Sequence, residues 1–227
     1  MPPARRSTAT GPGPITPDGC AVDFYALITD LGESRIVHEA TGPGASILEL
    51  GCGAGRVTRP LTALGHAVVA VDESPDMLAH VTGAETVCSS IEHLSLGRRF
   101  DAVLLSSNLI NVTDQDVRAA MLATCRAHVA DAGCVIVQQH PPAWFENAAD
   151  RERVQDGIVL RLRDLTRPAP GLLSGTAEYV AGDRTWTQTF TARQLTEPVL
   201  TESLAVAGLR LDRYLTPDRG WFRAVPA

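Results

Sequence analysis

Residues 47–55 constrain the fold of this chain more than any other segment, because an apolar run there ends in three glycines at alternate positions. The run suits a buried parallel strand, and the glycines let the backbone turn sharply and approach a ligand without a Cβ in the way. A helix-like stretch follows at 56–64, and a second apolar run, 67–71, ends in Asp72. This order is typical of a βαβ unit that binds a nucleoside, with the acid placed to accept hydrogen bonds from ribose hydroxyls.

The spacing of the glycines narrows the class of nucleoside. Dinucleotide-binding folds use G-x-G-x-x-G, with a pyrophosphate at the N-terminus of the following helix. Here Gly51, Gly53 and Gly55 give G-x-G-x-G, and Val57 lies nearer the third-glycine position of that pattern. Glu49 precedes the turn, where a carboxylate is unfavourable beside a pyrophosphate and favourable beside an ammonium group. A nicotinamide-dependent oxidoreductase remains an alternative, and both Val57 and Glu49 oppose it.

The segment from Glu49 to Gly55 matches the pattern (D/E)-x-G-x-G-x-G at every defined position. This pattern is the first motif of the class I S-adenosylmethionine-dependent methyltransferases, and the chain resembles that family over residues 45–140 and more loosely over 196–225. The resemblance implies S-adenosyl-L-methionine as cofactor and in-line methyl transfer to a small-molecule acceptor. A non-methylating enzyme that binds the same cofactor remains a second hypothesis.

The resemblance also assigns roles to individual residues. Gly51, Gly53 and Gly55 would pass beneath the methionine part of the cofactor, Glu49 would orient its ammonium, and Asp72 would hold the ribose. The remaining cofactor-binding residues that it implies are Met77, Ser90 and Ile91 near the adenine, Ser106 at the end of the predicted strand at 101–105, and Tyr25 as a cap. Ser90 stands where the family often has an acid, so its bond to the adenine amino group would lack charge assistance.

The candidate catalytic residue is His140, directly after the predicted strand at 134–138. A strand end of this kind opens on the ligand cleft, and the ordinary pKa of histidine suits a general base. Asn108 and Trp144 are the predicted substrate-binding residues. Trp144, together with Trp186 farther along the chain, would supply an aromatic wall for a flat or apolar acceptor. No metal site is predicted.

Composition excludes several other classes of protein. The chain has 227 residues and a formal net charge of −6, and all 20 of its basic residues are arginine. Without lysine, Schiff-base chemistry, a pyridoxal-phosphate lysine and a Walker-type phosphate loop are excluded. The negative charge and the lack of a basic run argue against a nucleic-acid partner. No apolar run is long enough for a membrane span, and no feature indicates an oligomeric state.

Five cysteines are widely spaced, without a C-x-x-C pair. This spacing indicates neither a zinc site nor a disulfide framework, and it fits a reducing cytoplasm. The first residues, 1–18, are rich in proline, glycine, serine and threonine, and they predict a disordered tail.

Strands alternating with helices over 45–140 predict an α/β fold with a parallel sheet that is covered on both faces. With the closing helix and strand pair that the resemblance implies over 196–227, the sheet is doubly wound, seven-stranded and mostly parallel. Alternating apolar and charged residues predict an inserted antiparallel β subdomain at 141–195, with strands at 157–165, 172–180 and 184–190. Residues 19–44 are predicted as an N-terminal helical cap.

Overall fold

A computed structural model describes residues 8–227 of the chain. Its helices and strands, in chain order, are β1 (Ala9–Thr10), α1 (Val22–Leu27), α2 (Glu33–Thr41), β2 (Ser46–Leu50), α3 (Thr58–Ala63), β3 (Ala67–Asp72), α4 (Pro75–Leu78), β4 (Glu85–Cys88), β5 (Phe100–Leu105), α5 (Gln115–His128), β6 (Val129–Gln138), α6 (Pro142–Glu146), β7 (Arg151–Gln155), β8 (Ile158–Thr166), β9 (Leu172–Ala181), β10 (Arg184–Arg193), α7 (Glu197–Val206), β11 (Leu209–Tyr214) and β12 (Trp221–Pro226).

The central sheet has seven strands in the order β11-β12-β6-β5-β2-β3-β4. The five strands from β2 to β6 pair in parallel, and β12 joins β6 antiparallel. In the register, Leu50 lies opposite both Val71 and Leu105, so β2, β3 and β5 end at one edge of the sheet. The predicted fold class is therefore confirmed.

Apolar packing on both faces explains why the central strands are nearly continuous hydrophobic runs. Leu48 and Leu50 face a cluster that includes α5 and α7, while Ile47 faces the opposite cluster with α2 and α3. All three side chains are fully buried. Alternate residues of one strand thus serve two separate layers of helix, as expected of a doubly wound sheet.

A second, antiparallel sheet has the order β1-β10-β9-β8-β7. Strands β8, β9 and β10 correspond to the three strands expected between 157 and 190. The edge strand β7 was not expected, because its sequence Arg-Glu-Arg-Val-Gln is exposed at every position and lacks a buried apolar face. The short helix α6 was not predicted either.

The other edge of this sheet corrects the predicted disordered tail. Residues 1–7 of that tail lie outside the described part of the chain, whereas Ala9 and Thr10 pair with Gln188 and Thr187 of β10. The following backbone passes very close to Trp186, since a Cβ placed on Gly11 would lie 2.4 Å from the indole Cδ1. The segment is ordered because it completes a sheet edge and covers a large aromatic ring, which its composition alone does not reveal.

Between residues 8 and 227, no helix combines the length and the apolar character that crossing a membrane requires.

Candidate functional site

A cavity of about 1800 Å³ lies at the carboxyl ends of the central strands, between them and one face of the antiparallel sheet. The fold creates it because β2, β3 and β5 end at the same edge. All predicted site residues except Gly55 line the cavity: Tyr25, Glu49, Gly51, Gly53, Asp72, Met77, Ser90, Ile91, Ser106, Asn108, His140 and Trp144.

The glycine turn after β2 is built differently at each glycine. All three have a positive φ, which side-chain-bearing residues rarely adopt. A Cβ on Gly53 would point into open space, with Met77 Sδ nearest at 4.0 Å, whereas a Cβ on Gly51 would lie 2.7 Å from Leu109 Cδ1. Gly55 instead faces Val81 at 3.2 Å, outside the cavity. Gly53 therefore exposes its backbone to the cavity, whereas Gly55 packs against Val81.

Glu49 is a buried carboxyl at the start of this turn, only 1% exposed. Its Oε2 accepts a hydrogen bond of 2.6 Å from Thr58 Oγ1. Desolvation by burial raises the pKa of Glu49 to about 7, against the opposing effects of the Thr58 bond and the charge of Arg56. That arginine is itself paired with Glu33 at 2.5 Å. A cation brought beside Glu49 would stabilise its ionised form.

Asp72 is fixed at the end of β3 by the backbone of the glycine turn. Its Oδ2 accepts from Gly53 N at 2.8 Å, and its Oδ1 accepts from Ser74 N at 2.9 Å. Each carboxylate oxygen can accept a second hydrogen bond, so the group can still bind a ligand. Burial raises the pKa of Asp72, while the two backbone bonds oppose that shift. The N-cap of helix α4 is the nearby Ser74, whose Oγ accepts a hydrogen bond from Met77 N.

An apolar wall stands next to Asp72. Met77 and Ile91 are both buried and both face the cavity. Ser90 lies beside Ile91, and its Oγ is 2.8 Å from His93 Nδ1, so the hydroxyl already has one partner. A flat ring could pack between Met77 and Ile91 with a polar edge towards Ser90.

The loop after β5 contains strained backbone. Ser107 and Asn108 are consecutive non-glycine residues with φ of 56°, an arrangement that clusters at functional sites. Ser106 is buried and faces the cavity, as does Asn108. The loop is held by Asn111, whose Oδ1 accepts from His140 N at 2.8 Å and whose Nδ2 donates to Arg193 O at 2.8 Å.

His140 lies in an aromatic environment beyond β6. Its ring stacks on Trp144 with 3.8 Å between centroids and an interplanar angle of 8°, and Phe145 meets it edge-on. Desolvation, with a smaller contribution from the charge of Arg151, lowers the pKa of His140 to about 4. The imidazole is therefore uncharged at neutral pH and has an unprotonated ring nitrogen, although the lowered pKa makes it a weaker base than an ordinary histidine.

Helix α1 joins the two walls of the cavity. Phe24 stacks on Tyr179 of the antiparallel sheet with 3.9 Å between centroids, and Val22 packs against Ala54 and Met77 of the cofactor side. Tyr25 faces the cavity from the same helix. The neighbouring Cys20 and, to a smaller extent, burial raise the pKa of the Tyr25 hydroxyl, so it stays protonated.

Trp186 does not belong to the expected aromatic wall. Its ring is fully buried beneath the N-terminal segment, and its Nε1 donates to Pro12 O at 2.8 Å. Two cavity residues that the sequence analysis missed are Arg151 and Arg153 on β7. Their alternation with Glu152 was the available signal, since alternate residues of a strand share one face.

The residues at one end of the cavity suit an S-adenosylmethionine molecule on structural grounds. Gly53 leaves space that a Cβ would fill, Glu49 supplies a carboxyl whose pKa can fall beside a cation, and Asp72 keeps free acceptor capacity. These groups match the ammonium and the ribose hydroxyls, and the apolar wall matches a purine.

Comparisons with known proteins concern the domain and the fold. Residues 47–133 match a family described as a methyltransferase domain. A ubiquinone biosynthesis O-methyltransferase of Rhodopseudomonas palustris (strain BisB18) is 32% identical over 109 residues, which cover 44% of this chain and 42% of the relative. A dTDP-3-amino-3,6-dideoxy-alpha-D-glucopyranose N,N-dimethyltransferase of Streptomyces fradiae is 31% identical over 133 residues, covering 56% of this chain and 50% of the relative. The chain thus matches about half the length of these relatives or less.

A structural comparison extends the likeness to almost the whole chain. The crystal structure of an S-adenosylmethionine-dependent methyltransferase from Clostridium acetobutylicum ATCC 824 superposes with a TM-score of 0.73 at 15% identity, and the match covers 90% of this chain and 94% of the other. An identity this low shows the fold alone. The chain therefore contains a methyltransferase domain at residues 47–133 and shares the fold of that S-adenosylmethionine-dependent methyltransferase structure.

Proposed function

We propose that this protein is a methyltransferase that uses S-adenosyl-L-methionine to methylate a small molecule. The observation that supports this most directly is the meeting of Glu49, the open face of Gly53 and Asp72 at one end of a single cavity. The names of the relatives, an O-methyltransferase and a sugar-nucleotide N,N-dimethyltransferase, support the same chemistry.

In the proposed complex, S-adenosylmethionine supplies an activated methyl group on a sulfonium sulfur. The protein's part is to bind and to align. Asp72 holds the ribose, Glu49 holds the ammonium, and the apolar wall of Met77 and Ile91 holds the adenine. Because the leaving group is already activated, alignment and exclusion of water account for most of the rate that this site adds.

His140 is the proposed general base. A hydroxyl acceptor must lose its proton as the methyl group arrives, and an ammonium acceptor must lose one beforehand so that its nitrogen has a free electron pair; the unprotonated ring nitrogen of His140 is placed to accept that proton. Trp144 holds the ring of His140 by stacking, and Asn111 fixes the backbone at the same residue. Asn108 and Trp144 are proposed to contact the acceptor.

The volume of the cavity supports a small-molecule acceptor. About 1800 Å³ exceeds the roughly 300–1,000 Å³ of a typical single-ligand pocket. One end can therefore hold the cofactor while the region between His140 and the antiparallel sheet holds the acceptor. We propose residues 141–195 as the acceptor-binding subdomain.

We also propose a reducing cytoplasm as the location of the protein, since all five cysteines are free. The net charge of −6 disfavours a nucleic-acid acceptor.

Calorimetric titration with S-adenosylmethionine tests the cofactor, and transfer of a labelled methyl group into a cell extract tests the reaction. We expect saturable binding and label in a small-molecule fraction. Binding of NADH in place of S-adenosylmethionine would favour the oxidoreductase alternative. Cofactor binding without label transfer to any extract would favour a non-methylating enzyme.

The lowered pKa of His140 gives a prediction that can be tested without knowing the methyl acceptor. Because burial depresses its pKa, the ring should titrate at about 4 rather than near its ordinary 6.5. The unfolded chain binds this proton at higher pH, so the contribution of His140 to the free energy of unfolding is present above pH 6.5 and is lost as pH falls towards 4. NMR of the imidazole nitrogens measures the pKa, with His140→Gln to assign the signal. A ring that titrates at its ordinary pKa would contradict the buried base.

The raised pKa of Glu49 predicts that cofactor affinity depends on pH. Below pH 7 the free protein holds Glu49 protonated, so binding the ammonium must release that proton. We expect affinity for S-adenosylmethionine to fall as pH drops below 7, by up to about tenfold per pH unit. Calorimetry measures this, and Glu49→Gln should bind more weakly with a flatter pH dependence. Equal pH profiles for the two proteins would remove Glu49 from the ammonium site.

A further inference from the structure

Two arginines on the cavity side of the antiparallel sheet have no acidic partner among residues 8–227. Arg151 and Arg153 occupy alternate positions of β7, and both face the cavity. Within residues 8–227, neither guanidinium takes part in any of the ion pairs that the structure contains. Both are well exposed to the solvent of the cavity.

The outer face of the same strands shows the contrasting arrangement. Arg161 Nε lies 2.6 Å from Glu152 Oε2, and its Nη1 lies 2.7 Å from Glu178 Oε1. Arg163 adds a longer contact of 3.9 Å to Glu178. The arginines of the outer face are thus neutralised by neighbouring strands, and those of the inner face are not. The period of two in β7 sends its single acid, Glu152, to the outer side.

The register relates the two free arginines to the proposed reaction centre. Arg153 lies opposite Leu160, which lies opposite Tyr179, and Arg151 lies opposite Leu162 in the adjacent row. The charge of Arg151 reaches His140, whose pKa it helps to lower, and the charge of Arg153 acts on Tyr179. The pair therefore stands on the acceptor side, whereas the carboxyls of Glu49 and Asp72 are at the cofactor end.

Guanidinium groups bind phosphate and carboxylate through paired, charge-assisted hydrogen bonds. Unmatched charges on a concave wall also concentrate the field and draw in ligands of opposite sign. We propose that Arg151 and Arg153 form a subsite for an anionic group of the methyl acceptor, a phosphate or a carboxylate. This deepens the proposed function and rests on it, since the anion would be part of the molecule that receives the methyl group.

Pyrophosphate and succinate serve as probes in calorimetric titrations of the full chain, with and without S-adenosylhomocysteine. We expect binding of at least one probe, and about tenfold or greater weakening in the double variant Arg151→Gln/Arg153→Gln. Preference for pyrophosphate would indicate a phosphorylated acceptor, and preference for succinate a carboxylate. The matched control is Arg35→Gln/Arg163→Gln, which removes the same charge away from the cavity and should bind like the wild type.

The outcomes separate the subsite from the proposed function. Both variants alter exposed side chains, so their melting temperatures should match that of the wild type. If neither probe binds the wild type, or if the double variant binds as the wild type does, the anion subsite is wrong. If the wild type fails to bind S-adenosylmethionine, the methyltransferase proposal fails, whatever the result with the probes.

Discussion

Replacing Asp72 with alanine should weaken S-adenosylmethionine binding by about tenfold to a hundredfold. A charge-assisted hydrogen bond contributes about 1.5–3 kcal/mol, and a factor of ten corresponds to about 1.4 kcal/mol. The carboxylate has two tasks, since it holds Gly53 N at 2.8 Å and keeps acceptor capacity for the ribose. The variant therefore loses the ligand contact and loosens the glycine turn together. Calorimetry at a temperature where both proteins are folded measures the difference.

Two further variants separate charge from shape. Asp72→Asn keeps the size of the side chain and one carbonyl acceptor, so its affinity should fall between those of the wild type and the alanine variant. Asp76→Asn removes an equivalent charge from the exposed first turn of α4 and should bind like the wild type. Unchanged affinity in Asp72→Ala would exclude this carboxylate from the ribose site.

Replacing Trp186 with alanine should lower the free energy of unfolding by about 3–5 kcal/mol, which is the usual loss for truncating a buried tryptophan. The indole is fully buried, packs against Phe24 at 5.7 Å between centroids, and donates to Pro12 O. For a chain of this length, each kcal/mol shifts the melting temperature by roughly 2–4 °C. Differential scanning calorimetry should therefore show a melting temperature at least about 6 °C lower.

Trp186→Phe is the matched control, because it keeps most of the buried apolar surface and removes the Nε1 donor. It should lose about 1 kcal/mol, the usual net contribution of one hydrogen bond. Trp144→Ala truncates the same residue type at a half-buried position and should cost less than Trp186→Ala. Melting of Trp186→Ala at the wild-type temperature would show that the N-terminal segment is not held by this ring.

The parts of the molecule that local patterns determine could be predicted from the sequence. The run before Gly51 is apolar throughout, so it indicates a strand buried on both faces, and the acid of Asp72 follows the next such run directly. Their meeting at one edge of the sheet follows from parallel pairing. The same reasoning placed His140 at the cavity, because it follows the apolar run that was predicted as a strand at 134–138.

Features that depend on distant residues could not be predicted in this way. The pairing of Thr10 with Thr187 joins positions 177 residues apart, and nothing in the proline-rich segment indicates it. The burial of Trp186 depends on Pro12 and Phe24 in the same way. The sequence of β7 shows no apolar alternation, because its inner side chains, Arg151 and Arg153, face a cavity and not a hydrophobic core. Gly55 matched the motif, yet its space is taken by Val81, which lies three residues beyond the end of α4.

The double attachment of α1 has a consequence for ligand exchange. Val22 packs against Ala54 and Met77 on one wall of the cavity, and Phe24 stacks on Tyr179 on the other wall. Each of the two side chains is at most 4% exposed. Widening the cleft on this side must withdraw one of these side chains into water, at a cost of about 1.5–3 kcal/mol. A free-energy gap of this size keeps the widened form at roughly 0.6–8% of the population, so cofactor passing this side would enter through a rare conformer.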